Sequence, residues 1–162
     1  MTTPNLRIEP AKEQDVPLIL EFIRGLATFE KHLEYVQATE ERIREAVFGP
    51  DPKAMVLIAY LNDLPAACAV YYYTFSTFVG LKGLYLEDLF VNPEQRGNGI
   101  GRAMLIELAR IAKRERCHRI EWAVLNWNES AIQFYRKLGA VRIDDWAVYR
   151  LSDESLELLA KE

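Results

Sequence analysis

The chain has 162 residues, half of them hydrophobic and 27% charged, with a net charge of −4. That length suits one domain with a real core, and the composition excludes a disordered or fibrous chain. The acidic balance argues against a nucleic-acid partner and for a small cationic one.

Runs such as AMVLIAYL fall far short of the ~20 apolar residues that span a bilayer, so no membrane association is expected. The opening MTTPNLRIEP lacks the basic-then-apolar pattern of a secretory signal, which leads to the expectation of a cytoplasmic protein. Cys68 and Cys117 stand far apart outside any CxxC pattern and are expected to be buried free thiols. His32 and His118 are solitary, and no metal site is expected.

In chain order, NLRIEP reads as a short strand. DVPLILEFIRGLATFEK places Val16, Ile19, Ile23 and Leu26 at helical spacing, with Pro17 tolerable in a first turn. TEERIREAVFG reads as a second helix capped by Thr39 and stopped by Gly49. AMVLIAYL and LPAACAVYYYTF read as two strands around a tight Asn-Asp turn, and GLYLEDLFV as a third. GRAMLIELARIAKRERC is an amphipathic helix with Ile100, Met104, Leu108 and Ile111 on one face. RIEWAVL is a strand. NESAIQFYRKLG is a helix capped by Asn128 and ended by Gly139. WAVYRL is a last strand, and SDESLELLAKE a terminal helix with Ser152 as its N-cap. The order predicts a mixed α/β fold, antiparallel in the first half of its sheet and parallel where a helix crosses over. No repeat or linker interrupts it, so one domain is expected over residues 1–162.

Three of the 8 glycines, Gly97, Gly99 and Gly101, fall within five residues between a predicted strand and a predicted helix. Such a turn suits an anion: helix N-terminal N–H groups and the positive end of the dipole point there, and glycines let a pyrophosphate approach the backbone. No GxxxxGK[ST] string exists. GNGIG is GxGxG rather than GxGxxG, and it follows the fourth predicted strand rather than the first. Glycines alone leave a plain tight turn equally open. Glu87 and Asp88 are adjacent acids in an otherwise apolar strand, where unpaired buried charge is costly. Strand alternation would send Glu87 to the face of Tyr85 and Leu89, and Asp88 to that of Leu86 and Phe90, unless a bulge shifts the phase.

The R-x-x-G-x-G pattern from Arg96 to Gly101 resembles the acetyl-CoA pyrophosphate loop of the GNAT superfamily of N-acetyltransferases. LYLEDLFVNPEQRGNGIG and WNESAIQFYRKLGA together resemble its spermidine/spermine (diamine) N-acetyltransferase branch. The resemblance implies a GNAT fold, with a twisted mixed sheet of about six or seven strands and helices on both faces. It implies acetyl transfer from acetyl-CoA to a primary amine, a polyamine or diamine, with a lysine-like amino acid as the alternative acceptor. A non-catalytic CoA-binding module and a nucleotide-binding protein are the readings from other classes.

Residue by residue, the resemblance puts the backbone of Leu89, Phe90 and Val91 beside the pantetheine arm. It puts Arg96, Gly97, Asn98, Gly99, Ile100, Gly101 and Arg102 around the pyrophosphate. Asn128, Glu129, Ser130 and Ala131 would border the CoA. Tyr135 would be the general acid for the leaving thiolate; its phenol, with a reference pKa of about 10, is protonated at neutral pH. Glu87 would take the proton of the acceptor amine, through water. Phe29, Glu30, Glu87, Asp88 and Asp144 would line the acceptor channel, and a homodimer is implied. Two departures from the polyamine pattern bear on the acceptor: NESA lacks the proline common after the Glu, and the loop VRIDDWAVYR is shorter.

Overall fold

The computed structural model describes residues 5–162. The reading of the opening residues as free of a secretory leader rests in part on residues 1–4, outside the described ones. No helix among the described residues is long and apolar enough to cross a membrane.

Residues 1–123 and 124–162 form two compact units. In the first, β1 (Leu6–Pro10) is followed by helices α1 (Val16–Phe29) and α2 (Glu40–Phe48). Then come β2 (Met55–Leu61), β3 (Leu64–Ser76), β4 (Leu81–Val91), helix α3 (Ile100–Arg114) and β5 (Ile120–Trp122). The sheet order is β1-β2-β3-β4-β5, antiparallel except for the β4/β5 pair. The Asn62-Asp63 turn joins β2 to β3 with both residues left-handed (φ 51° and 64°), the geometry of a two-residue hairpin loop. Thr39 caps α2 by accepting from the Arg42 N–H at 3.3 Å, as its position in the sequence predicts.

Both faces of the sheet are covered. Val56 and Ile58 pack with Val16, Ile19 and Phe22 of α1, Ile43 of α2, and Cys68 and Phe90 of the sheet. Alternation sends Leu57 and Ala59, equally buried, to the opposite face, where α3 supplies Ile100, Met104, Leu108 and Ile111. Gly25 lets α1 lie close on β4: a Cβ there would stand 2.8 Å from the Phe90 ring.

The second unit carries α4 (Glu129–Lys137) and α5 (Asp153–Leu159). Two expectations are corrected here. The described residues form five strands, not six or seven, because WAVYRL is irregular and RIEWAVL is a strand only over Ile120–Trp122. A strand exists by hydrogen-bonding a neighbour, and the second unit's regular elements are helices. Residues 140–152 have the alternating pattern but no ladder, and Val148 and Tyr149 are each 93% exposed. Ser152 sits at the N-cap of α5, but its side chain makes no capping bond.

Candidate active site

Opposite the β3 pair Val70/Tyr71, β4 carries one residue too many. Val70 pairs with Asp88 and Tyr71 with Leu86, so Glu87 has no partner. This is a β-bulge, and it overturns strict alternation at the two acids. Tyr72 pairs with Tyr85, and the charge of Glu87 acts on both phenols. Asp88 lines a small cleft with Phe22, Ile23 and Leu26 of α1, Cys68 and Val70 of β3, and Phe90. Both carboxylates therefore bear on the α1 side of the hairpin, Glu87 exposed and Asp88 half-buried.

Neither acid is in an ion pair among the described residues. Burial pushes the Asp88 carboxyl up to about 6, with the charges of Glu87 and Glu30 adding to it. Glu30, predicted to line the same channel, is thus brought within electrostatic reach; it stands at the C-cap of α1, directly after Phe29. The charges of Glu87 and Glu30 make ionising Asp88 costlier, where a cation would make it easier.

Below the bulge β4 loses a neighbour. Its ladder with β5 ends at the pair Leu86–Trp122, while its pairing with β3 runs on to Val91. The outward backbone edge of Leu89, Phe90 and Val91 thus faces no strand of the described residues.

After Val91 a short 3-10 turn over Pro93–Gln95 leads into the glycine loop. Gly97 (φ 83°) and Gly99 (φ 74°) are left-handed, and nothing lies within 4 Å of where a Cβ would stand on either. Conformation rather than crowding requires glycine at both. Gly99 is the N-cap of α3; no side chain caps this helix, and no acid occupies its first turn. Ile100 is buried, whereas Arg102 is exposed in that first turn. Asn98 donates to the Gln95 carbonyl at 3.0 Å and shapes the loop. Arg96 donates from Nε to the Val91 carbonyl at 3.0 Å, with its guanidinium 4.9 Å from the Phe29 ring centre and 5.7 Å from that of Phe90. It ties the loop to the ends of β4 and α1. An uncapped helix N-terminus behind two left-handed glycines, with open space before them, fits a pyrophosphate.

In the second unit Asn128 caps α4, its Oδ1 accepting from the Ala131 N–H at 3.2 Å. Glu129, Ser130 and Ala131 form the first turn, and Glu129 accepts from the Gln133 amide. Tyr135 lies on the same helix with its ring 5.3 Å from that of Phe134, and burial pushes its phenol up, so it is protonated at neutral pH. Asp144 is exposed in the irregular segment and pairs with Arg142. A separate surface depression lined by Arg42, Glu45, Pro50, Asp51 and Lys53 lies along α2 and holds none of these residues.

Tyr72 and Tyr85 belong to the site's surroundings and were not singled out in the sequence. Alternation alone sets Tyr85 beside Glu87; the run Tyr71–Tyr73 reads as strand aromatics, and the register across the bulge shows that Tyr72 is the one paired with Tyr85.

Comparison with known proteins agrees with this geometry. The family model described as "Acetyltransferase (GNAT) family" matches residues 20–140. Thialysine N-epsilon-acetyltransferase of Sus scrofa is 37% identical over 164 aligned positions, covering 94% of this chain and 96% of that protein. Spermidine/spermine N(1)-acetyltransferase-like protein 1 of Homo sapiens is 34% identical over 96% of this chain, which corresponds to 24% of that longer protein. Among solved structures, the Vibrio cholerae integron cassette protein VCH_CASS6 superposes with a TM-score of 0.80 at 28% identity, covering 97% of this chain and 98% of that one. Bulge, open strand edge, glycine loop and these matches lead to one conclusion: the chain belongs to the GNAT family of acetyltransferases.

Proposed function

We propose that this enzyme transfers the acetyl group of acetyl-CoA to a primary amine of a small polycation, a diamine or polyamine. The observation that carries the acceptor class is the group of Glu87, Asp88 and Glu30, with Asp88 held up at about 6 and no cation among the described residues paired to Glu87 or Asp88. A ligand with positive charges relieves that repulsion. The identity to thialysine N-epsilon-acetyltransferases favours a second acceptor, a lysine-like amino acid, which brings an amine to the same carboxylates.

For the donor, the loop Arg96–Arg102 would hold the pyrophosphate, with the N–H groups of Ile100, Gly101 and Arg102 at the start of α3. The backbone of Leu89–Val91 would pair with the pantetheine amides as a strand edge pairs with an added strand. Asn128, Glu129, Ser130 and Ala131 would border the CoA. Asp144, paired to Arg142, would bind the acceptor with Glu87, Asp88 and Glu30.

The thioester supplies the acetyl carbon. The acceptor arrives as an ammonium, since amines of this kind have pKa values near 10, and Glu87 takes its proton through water. The amine nitrogen then forms the new N–C bond as the C–S bond breaks, the Tyr135 hydroxyl gives its proton to the departing thiolate, and the nitrogen's surplus proton is lost to water, which reprotonates the phenolate and leaves a neutral amide. Holding both substrates in one complex supplies most of the acceleration. A single catalytic domain, a homodimeric assembly and a cytoplasmic location complete the reading.

The test is an acceptor screen with acetyl-CoA over putrescine, spermidine, spermine, lysine, thialysine and aminoglycosides. Amine-dependent thiol release with an N-acetylated product is expected, strongest for the polyamines. Thiol release that no amine stimulates would overturn the reading.

A further inference from the structure

Rings on this hairpin and its neighbours already carry cations of the chain. Arg7 stands 4.5 Å from the centre of the Tyr60 ring, Lys82 4.5 Å from that of Tyr73, and Arg96 over Phe29. The pair formed by Tyr72 and Tyr85 differs. The two rings lie next to each other across β3 and β4 with centroids 5.3 Å apart and planes tilted by 32°. Both are half-buried, and the charged group that acts on both is the carboxylate of Glu87. Burial first, and Glu87 second, push both phenols up, so the rings stay neutral at physiological pH. Neutral tyrosine rings beside a carboxylate make a cation receptor: the π faces attract an alkylammonium, and the acid takes its proton or balances its charge.

We propose that Tyr72 and Tyr85 form the aromatic wall of the acceptor subsite, along which the cationic chain of the amine lies while one of its nitrogens is presented at Glu87. This rests on the reading of Glu87 as bordering the acceptor. It adds a specificity rule: the wall rewards a second cationic nitrogen along the chain and is indifferent to the donor. The bulge is what makes the arrangement possible, because it keeps Glu87 beside the ring pair while turning Asp88 to the same side.

The experiment compares the unaltered enzyme with Tyr72→Leu, Tyr85→Leu, Tyr72→Phe and Tyr85→Phe, using spermidine, thialysine and the monoamine n-butylamine as acceptors. Each Leu variant is expected to raise KM for spermidine about tenfold, the scale of a well-placed cation–π contact. KM for acetyl-CoA should stay within about twofold, and the Phe variants, which keep the ring, within about threefold of the parent. Discrimination between spermidine and n-butylamine should shrink in the Leu variants. An unchanged amine KM, a parallel rise in both KM values, or Phe variants as impaired as the Leu ones would each overturn the wall. If the parent acetylates none of the three amines, the acceptor reading itself fails, a result separable from unaffected variants of an active parent. Should a Leu variant not fold, proton saturation transfer from tyrosine rings to the spermidine methylenes of the parent protein reports the same contact. Its absence would also overturn the proposal.

Discussion

Asp88 is held where its charge destabilises the fold. Its carboxyl releases its proton near 3.8 in an open chain and at about 6 in the folded one. The folded state therefore binds this proton more tightly. The group contributes stability below pH ~4 that is lost as the pH rises through about 6. A gap of roughly two pKa units corresponds to about 3 kcal/mol, and residual solvent contact reduces the expectation to ~1–2 kcal/mol. Asp88→Asn should thus raise the unfolding free energy by that amount at pH 8 and by little at pH 4, read from urea titrations; equal effects at both would refute the account. In the parent enzyme, KM for a cationic acceptor should fall as the pH rises through 6 and the carboxylate forms. Tyr135 is the complementary case, an acid kept protonated by burial. Tyr135→Phe should lower kcat on the order of 10²-fold while the affinity for acetyl-CoA stays within twofold; unchanged turnover would remove the residue from the mechanism.

The elements around the site differ in how far local sequence determines them. The glycine loop and α3 were legible because φ and periodicity are local properties. Gly97 and Gly99 sit at left-handed positions, and Ile100, Met104, Leu108 and Ile111 are all buried as their spacing requires. A side chain at Gly99 would be strained by roughly 1–2 kcal/mol and would project into the open space before the helix. Gly99→Val should therefore weaken acetyl-CoA binding at least tenfold by calorimetry, with the melting temperature only a few degrees lower. Normal affinity would mean that the loop is merely a turn. The bulge was not legible in the same way. LYLEDLFV reads as an unbroken strand, and which residue is surplus is decided by its register against β3 rather than by its own sequence. WAVYRL failed for a related reason. Its alternation is that of a strand, but alternation supplies no partner, and the segment has none in its own unit. Glu30 near Asp88 became visible through the family's pattern rather than through any local signal.

At the scale of the whole molecule, a net charge of −4 draws polycations and repels CoA phosphates alike. Raising the ionic strength from about 10 mM to 150 mM should lower kcat/KM for spermidine several-fold, since long-range attraction is screened within about 8 Å. The effect on n-butylamine should be smaller; equal salt slopes would argue against steering. The proposed homodimer is checked by sedimentation, with a mass twice that of one chain expected. The early end of the β4/β5 ladder has a consequence in time as well as in space. The amides of Leu89, Phe90 and Val91 that point away from β3 have no strand of the described residues to protect them, so they should exchange with deuterated solvent quickly in the free protein. A donor lying along that edge would complete the sheet and slow the exchange. If it must do so before the acceptor's surroundings settle, turnover is ordered, with the thioester entering first and the free thiol leaving last. Inhibition by CoA would then be competitive against acetyl-CoA and noncompetitive against the amine.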